Sequence, residues 1–299
     1  TCAGDVASAV TRQVSGTVGY FHHQGCCQLP PDLDRVTETL IALGCSPNVG
    51  AVLIISLGCE GTDTERLAKE LQNTGKPVRV VRIQELGGVS AAIKAGIDAS
   101  QELVMEISGM QRQPVGIDRV TMSIKCGASD TTSGMASNCV IGYVADKLVD
   151  LGAAVVFGET TEFLGGEHLL ARRAVNRQVA ERIYEIVDRM ETRARSLGCD
   201  MRKGQPTPGN IEGGLSSIEE KSLGAIVKSG TKPIQGVLEY PEQMNGRKGL
   251  WIKDTPGREP EILTGMAATG AQFMMFSTGR GAPQGFPTMP VLKVCGNPN

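Results

Sequence analysis

The chain has 299 residues, 40% of them apolar and 21% charged, with a formal net charge of -2. That balance excludes an intrinsically disordered chain, and it lacks the basic footprint that a sequence-independent hold on nucleic acid needs. No apolar run approaches the ~18 residues of a membrane span, and no basic-then-apolar signal peptide opens the chain. Nine cysteines, an odd number, do not suit a secreted disulfide framework. A reducing cytoplasm suits them better, as metal ligands or as small core residues. The chain starts at Thr1, in mid-pattern, and reads as a fragment or a processed subunit.

Short β-rich runs at 17–22, 50–57, 77–82, 119–125 and 153–157 are the expected strands of the first two-thirds. They are rich in Val and Ile and carry little alternation, which marks strands buried on both faces. Helical patterns fall between them near 33–43, 63–74, 88–98 and 135–150, and a long charged helix is expected over 166–198. A Gly/Pro-rich stretch, 203–214, follows, either as a linker or as an ordered active-site loop. Beyond it come a helix near 216–229, a strand near 234–239, a helix near 260–269, and strands near 271–277 and 290–295. The fold class is therefore α/β: a Rossmann-like variant with a mostly parallel sheet flanked by helices. Two parts are expected, 1–112 and 113–299, the second carrying the Gly-rich loops.

Ligands in open α/β sheets bind beyond the carboxyl ends of the strands. Run 17–22 ends on His22, His23, Gly25, Cys26 and Cys27; run 50–57 on Cys59 and Glu60; run 119–125 on Cys126, Ser129 and Asp130. Run 153–157 is followed by Glu159, Glu162 and Glu167, and run 271–277 by Gly279 and Arg280. Five strands are thus expected to bring thiol, imidazole, carboxylate and guanidinium to one edge of one sheet. Cys2, Cys45, Cys139, Cys199 and Cys295 read as structural. His23 and His168 do not read as ligands, and His22 suits either a metal or a backbone carbonyl. Gly209, Asn210 and Gly213, ahead of a helix that holds Lys221, suggest backbone N–H groups able to hold a carboxylate or phosphate. Arg280 offers a guanidinium that can grip a carboxylate in two bonds.

Several blocks carry a resemblance: HxxGC at His22 to Cys26, LGCE at Leu57 to Glu60, KCGxSDxxSG at Lys125 to Gly134, and GETxEFxGxEHLL at Gly158 to Leu170. PTPGNxxGGLSSIEEKSLG at Pro206 to Gly224, DTPG at Asp254 to Gly257 and FSTGRG at Phe276 to Gly281 continue the series. In this order they resemble the altronate and galactarate dehydratase family, with a further likeness to the sulfolactate sulfo-lyase large subunit. The resemblance implies a lyase that needs ferrous iron. It also implies a small β-rich N-terminal domain, or a separate small subunit, outside this chain. After HxxGC the chain departs from the sugar-acid dehydratases, reading CQLPP where they have Gly and small residues.

The implied reaction removes water from a small anionic hydroxy acid, such as altronate or galactarate; loss of sulfite from sulfolactate is the alternative. Elimination beside a carboxylate needs a base, a cation for the enolate-like charge and help for the leaving group. His22, Cys26, Cys59, Glu60 and Cys126 are the candidate metal ligands, for Fe2+ or for an iron–sulfur cluster on the three cysteines. Lys221, Glu167 and Glu159 are the candidate catalytic groups. Asn210, Gly209, Gly213, Arg280, Gly279, Ser129 and Asp130 are the candidate substrate-binding residues. A homo-oligomer is expected, with no nucleic-acid or membrane partner. A non-catalytic anion-binding subunit is the reading from another class.

Overall fold

The structure is a computed structural model that describes residues 2–298. The chain divides into two compact units, residues 1–114 and 115–299.

The first unit holds helices α1 (Gly4–Thr11), α2 (Pro30–Cys45), α3 (Thr64–Gln72) and α4 (Val89–Ser108) around strands β1 (Val52–Ser56) and β2 (Val78–Arg82). The two strands pair in parallel, Val52 beside Val78 and Ser56 beside Arg82. One apolar cluster, with Ile41, Ile54, Leu67 and Leu71, fills the space toward α2 and α3. A second, with Val6, Val10, Val81 and Ala92, fills that toward α1 and α4. Asp63 caps α3 by accepting the Arg66 N–H at 2.9 Å, as its position before an amphipathic run requires.

The second unit is built on six parallel strands: β3 (Thr121–Gly127), β4 (Ala154–Phe157), β5 (Ile234–Leu238), β6 (Gly249–Lys253), β7 (Phe273–Thr278) and β8 (Val291–Cys295). Their order across the sheet is β5-β6-β4-β3-β7-β8. Its helices are α5 (Asn138–Asp150), α6 (Glu167–Arg172), α7 (Arg177–Ser196), α8 (Pro208–Glu212), α9 (Ile218–Val227) and α10 (Glu259–Ala268). Met122, Ile124, Val155, Phe157, Leu250 and Ile252 point from the sheet into a core closed by Ile141, Leu170, Ile183, Ile186 and Ile226 of α5, α6, α7 and α9. The chain leaves β3 in one direction, for β4 and the β5-β6 edge, then returns past β3 to add β7 and β8 on the other side. β3 therefore borders the point where the winding reverses, the position at which such sheets open a crevice.

Three expectations change here. Residues 17–22 form no strand: Val18 and Phe21 are about half exposed, and β1 and β2 pair with each other. The run 50–57 does hold a strand, but in the small sheet of the first unit, so the candidate side chains do not all share one sheet edge. The helix expected over 166–198 is two helices, because residues 173–175 leave the helical path to bond with β5. Ile234 donates its N–H to the Arg173 carbonyl at 2.8 Å, and Val175 donates to the Ile234 carbonyl at 3.1 Å. Asn176 then caps α7 by accepting the Val179 N–H at 2.9 Å. The stretch 203–214 contains the short helix α8, with Thr207 and Asn210 bonding reciprocally as a capping box. Helix α1 and strand β6 carry too weak a pattern to be expected from sequence.

Lys253, at the carboxyl end of β6, is fully buried, and its ammonium donates to the Glu242 carbonyl at 2.8 Å. Burial lowers its pKa to about 7, against a smaller opposing pull from the Glu242 carboxylate. Between about pH 7 and pH 10.5 the unfolded chain therefore holds a proton that the folded chain has released. Stability from this group rises with pH across that window. Relative to Lys253→Met, the unsubstituted protein should gain on the order of 1 kcal/mol per pH unit there. Urea unfolding at pH 7, 8 and 9 checks this; a constant difference would mean that Lys253 stays charged in the fold.

Candidate functional site

Lys125 and Cys126 are successive residues near the end of β3, so their side chains leave opposite faces of the sheet. Lys125 points toward Phe276, its neighbour in register on β7, with the ammonium 4.9 Å from the ring centre. Cys126 points toward the α9 side. Neither is exposed, Lys125 at 1% and Cys126 at 2%.

Glu159 joins the two faces. It follows β4 by two residues and takes a left-handed backbone, φ 70°, a conformation that costs a non-glycine residue about 1 kcal/mol or more. The loop after β6 holds it there: Glu159 donates its N–H to Thr255 Oγ1 at 2.9 Å, and Thr160 donates to the Thr255 carbonyl at 2.9 Å. Thr160 Oγ1 in turn donates to Asp254 at 2.6 Å. So placed, Glu159 Oε1 accepts from the Lys125 ammonium at 3.0 Å. Its Oε2 accepts from the Lys228 ammonium at 2.6 Å and from the Cys126 N–H at 3.1 Å. Lys228 caps the carboxyl end of α9, where the helix dipole favours a cation.

Glu162 completes the cluster. Its Oε2 accepts from Cys126 Sγ at 3.0 Å and lies 3.4 Å from Lys228 Nζ, and its Oε1 lies 3.4 Å from Lys221 Nζ. Lys125 also donates to the Cys126 carbonyl at 2.7 Å and lies 3.4 Å from Glu259, a third exposed at the start of α10. Lys221 bonds to Gln205 as well. Burial pushes the Cys126 thiol up, with the Glu159 and Glu162 charges adding to it. Burial opposes the charge of Glu162 most, but Lys228, Lys221, the Cys126 S–H and Lys125 together outweigh it and hold the carboxyl at about 2. Burial likewise works against the Lys228 ammonium, and Cys126, Glu159 and Glu162 overcome it, raising its pKa. The interior thus carries a neutral thiol, two carboxylates and two fully enclosed ammoniums in near balance, the condition under which buried charge persists.

A second group lies on the loops beyond β3 and β7. Ala128 is left-handed, φ 49°, and its carbonyl accepts the Gly279 and Arg280 N–H groups at 3.3 and 3.1 Å. Asp130 accepts from Thr132 Oγ1 and the Ser133 N–H at 2.7 and 2.8 Å. A Cβ at residue 279 would sit 1.9 Å from an Asp130 carboxylate oxygen, so only glycine fits there. Asn210 donates its side-chain amide to the Ser129 carbonyl at 2.8 Å, and the Gly213 carbonyl accepts from Thr131 N–H and Oγ1 at 3.0 Å. Arg280 donates to the Gly209 carbonyl at 2.6 Å and pairs with Glu212 at 3.2 Å, with nearly half of its side chain exposed. All seven candidate substrate-binding residues therefore belong to one knot of two loops and the short helix α8 with the residues after it. Glu167 stands apart: one oxygen is 3.9 Å from Arg202, and the other is buried with no partner among the described residues.

The remaining candidates, His22, Cys26, Cys59 and Glu60, belong to the first unit. Gln24 donates its N–H to His22 Nδ1 at 3.3 Å. Glu60 is turned back on its own loop, accepting the Gly58 N–H at 2.8 Å and Thr64 Oγ1 at 3.3 Å. Cys26 and Cys59 are exposed. Among the described residues, the compact set of metal-ligand type is Cys126, Glu159 and Glu162, with donor atoms within 4.8 Å of one another. One sulfur and two carboxylate oxygens at this spacing suit a divalent transition metal. The Lys228 ammonium, 3.0 Å from the sulfur and 2.6 Å from Glu159, already supplies a cation to the same atoms. A metal ion would take its place.

Sequence reasoning missed Lys125 and Lys228 as site groups, placed Glu162 at the sheet edge without giving it a role, and missed the role of Glu159 as a bridge. Lys125 stood next to a flagged cysteine, and a lysine inside an apolar strand was a usable signal. Lys228, at a helix end, gave none.

Alkylation tests the geometry. Native protein treated with iodoacetamide at pH 8 should modify the exposed cysteines and leave Cys126 unmodified until denaturant is added. Peptide mass mapping reads the result; modification of Cys126 at the rate of the exposed thiols would refute the buried site.

Comparison with known proteins gives one family for both units. Residues 117–299 match the family described as D-galactarate/altronate dehydratase, C-terminal, and residues 1–108 match D-galactarate dehydratase/altronate hydrolase, second domain. The (2R)-sulfolactate sulfo-lyase subunit beta of Chromohalobacter salexigens is 42% identical over 98% of this chain and 75% of its own length. The altronate dehydratase of Bacillus subtilis is 32% identical over 92% of the chain and 54% of its length. The galactarate dehydratase (L-threo-forming) of Escherichia coli is 33% identical over 86% and 50%. The chain thus spans about half the length of these two dehydratases. All three relatives are named for lyase reactions. Among the described residues, no helix is long and apolar enough to cross a membrane.

Proposed function

Since the chain belongs to the D-galactarate/altronate dehydratase family, we propose that it is the catalytic part of a lyase acting on a small anionic hydroxy acid. The observation that carries this reading is the enclosed cluster of Lys125, Cys126, Glu159, Glu162 and Lys228 at the carboxyl end of β3 and β4. Ammonium groups fixed in a dry interior are worth far more to a developing enolate than the same groups in water.

The proposed elimination breaks the C–H bond next to the substrate carboxylate and the bond from the adjacent carbon to the leaving group. The electron pair of the first bond forms the new double bond, the leaving group departs with the pair of the second and a leaving hydroxyl takes up one proton to become water, and the enol product rearranges to a keto acid. Arg280 and the knot of Ser129, Asp130, Gly209, Asn210, Gly213 and Gly279 would hold the substrate's carboxylate. Lys221, largely buried beside Glu162, is the proposed proton acceptor, acting as the neutral amine. Glu159 is engaged on both oxygens and is assigned a positioning role. Fe2+, if bound, would be held by Cys126, Glu159 and Glu162 and would supply a Lewis acid to the substrate's oxygens. A small partner domain or subunit is proposed to complete the enzyme, in keeping with the similarity to a subunit called beta.

Water is the proposed leaving group, as in the dehydratases. Sulfite is the second reading, and the 42% identity to the sulfo-lyase subunit over 98% of this chain favours it. Both remove the same proton, and they differ in the second bond broken, C–O for water and C–S for sulfite. A panel of sugar acids and sulfolactate, supplied anaerobically with Fe2+ and with the small partner, decides between them by keto acid formed and sulfite released. Lys221→Met should lower kcat by about 10²-fold or more, and Arg280→Ala should raise KM more than it lowers kcat. Wild-type rates in both variants would overturn the roles given to Lys221 and Arg280, and no turnover on any acid would set the lyase reading aside in favour of an anion-binding subunit.

A further inference from the structure

Cys27 has no part in the proposed elimination, yet it is placed with care. Two adjacent residues in extended chain send their side chains to opposite sides. Cys27 instead adopts a left-handed backbone, φ 56°, and this turns its sulfur back to Cys26. The two Sγ atoms are 3.6 Å apart and share a hydrogen bond, and both residues are exposed.

The surrounding turn is pinned. Gly25, itself at φ 102°, donates its N–H to Gln28 Oε1 at 2.7 Å, and its carbonyl accepts the Gly61 N–H at 2.8 Å. A Cβ at residue 25 would fall 2.6 Å from Thr62 Oγ1, so the turn lies tight against the loop that follows Cys59.

We propose that Cys26 and Cys27 form a reversible vicinal disulfide by exchange with a small-molecule disulfide. One protein thiolate attacks the oxidised reagent, breaking its S–S bond and releasing one small thiol. The neighbouring thiolate then displaces the second small thiol and closes the Cys26–Cys27 bond. The protein loses two electrons and two thiol protons, and the reagent gains both as two thiols. Adjacent Cα atoms lie about 3.8 Å apart, less than the usual span of a disulfide. The ring is consequently strained and easily reduced, which makes the step reversible. The proposal needs only these two thiols and stands whether or not the chain is a lyase.

The test uses the reduced full chain, incubated anaerobically with oxidised glutathione, then alkylated and digested with trypsin. Cleavage after Arg12 and Arg35 gives a peptide whose only cysteines are Cys26 and Cys27. The expected result is that this peptide loses both alkyl groups, is two hydrogens lighter than its reduced form, and recovers both alkyl groups after dithiothreitol. Cys27→Ser should instead stop at a glutathione adduct on Cys26. Full alkylation of the wild-type peptide, a persistent glutathione adduct on it, a link to the peptide of Cys2 or Cys59, or no adduct in the variant would each overturn the proposal.

Discussion

One carboxylate between two enclosed ammoniums organises the second unit. Glu159 receives Lys125 from one face of the sheet and Lys228 from the other, so a single side chain crosses the end of the sheet and fixes both layers to it. An unpaired charge at any of the three positions would be costly, because water cannot reach it. The left-handed backbone at Glu159 follows from the same requirement. Its backbone strain is offset by the Thr255 hydrogen bonds and by the salt bridges the carboxylate then makes.

The strain is not isolated. Among the described residues, the non-glycine positions with left-handed backbone are Cys27, Ala128, Glu159 and Asn245. Ala128 follows β3, Glu159 follows β4, and Cys27 lies in the HxxGC block. Such conformations persist where surrounding contacts impose them, and they gather at sites that must aim a side chain. Here they aim the carboxylate of Glu159, the carbonyl of Ala128 and the thiol of Cys27.

Much of the fold was legible because parallel strands buried on both faces leave short apolar runs, as at β4. The knot of Ser129, Asp130, Asn210, Gly213 and Arg280 was legible too, from glycine-rich turns after strands and before helices. Two things were hidden. The run 17–22 has strand composition but joins neither sheet among the described residues, and pairing is a property of the whole fold rather than of six residues. The division of the strands between two sheets was equally beyond local pattern. The lysines of the cluster were missed because lysine is normally solvated, and its burial shows only when the opposing carboxylates are in place. Cys126, Glu159 and Glu162 were marked in the sequence at strand ends, and the structure sets Lys125 and Lys228 beside them.

A double-mutant cycle on Glu159 and Lys228 tests the central claim most directly. Glu159→Gln and Lys228→Met should each destabilise the fold by about 3–5 kcal/mol in urea unfolding, since each leaves a buried partner uncompensated. The double variant should cost less than the sum by about 2 kcal/mol or more, because the loss is shared. Strictly additive losses, or single variants near wild-type stability, would show that the carboxylate does not hold the ammonium and would contradict the account.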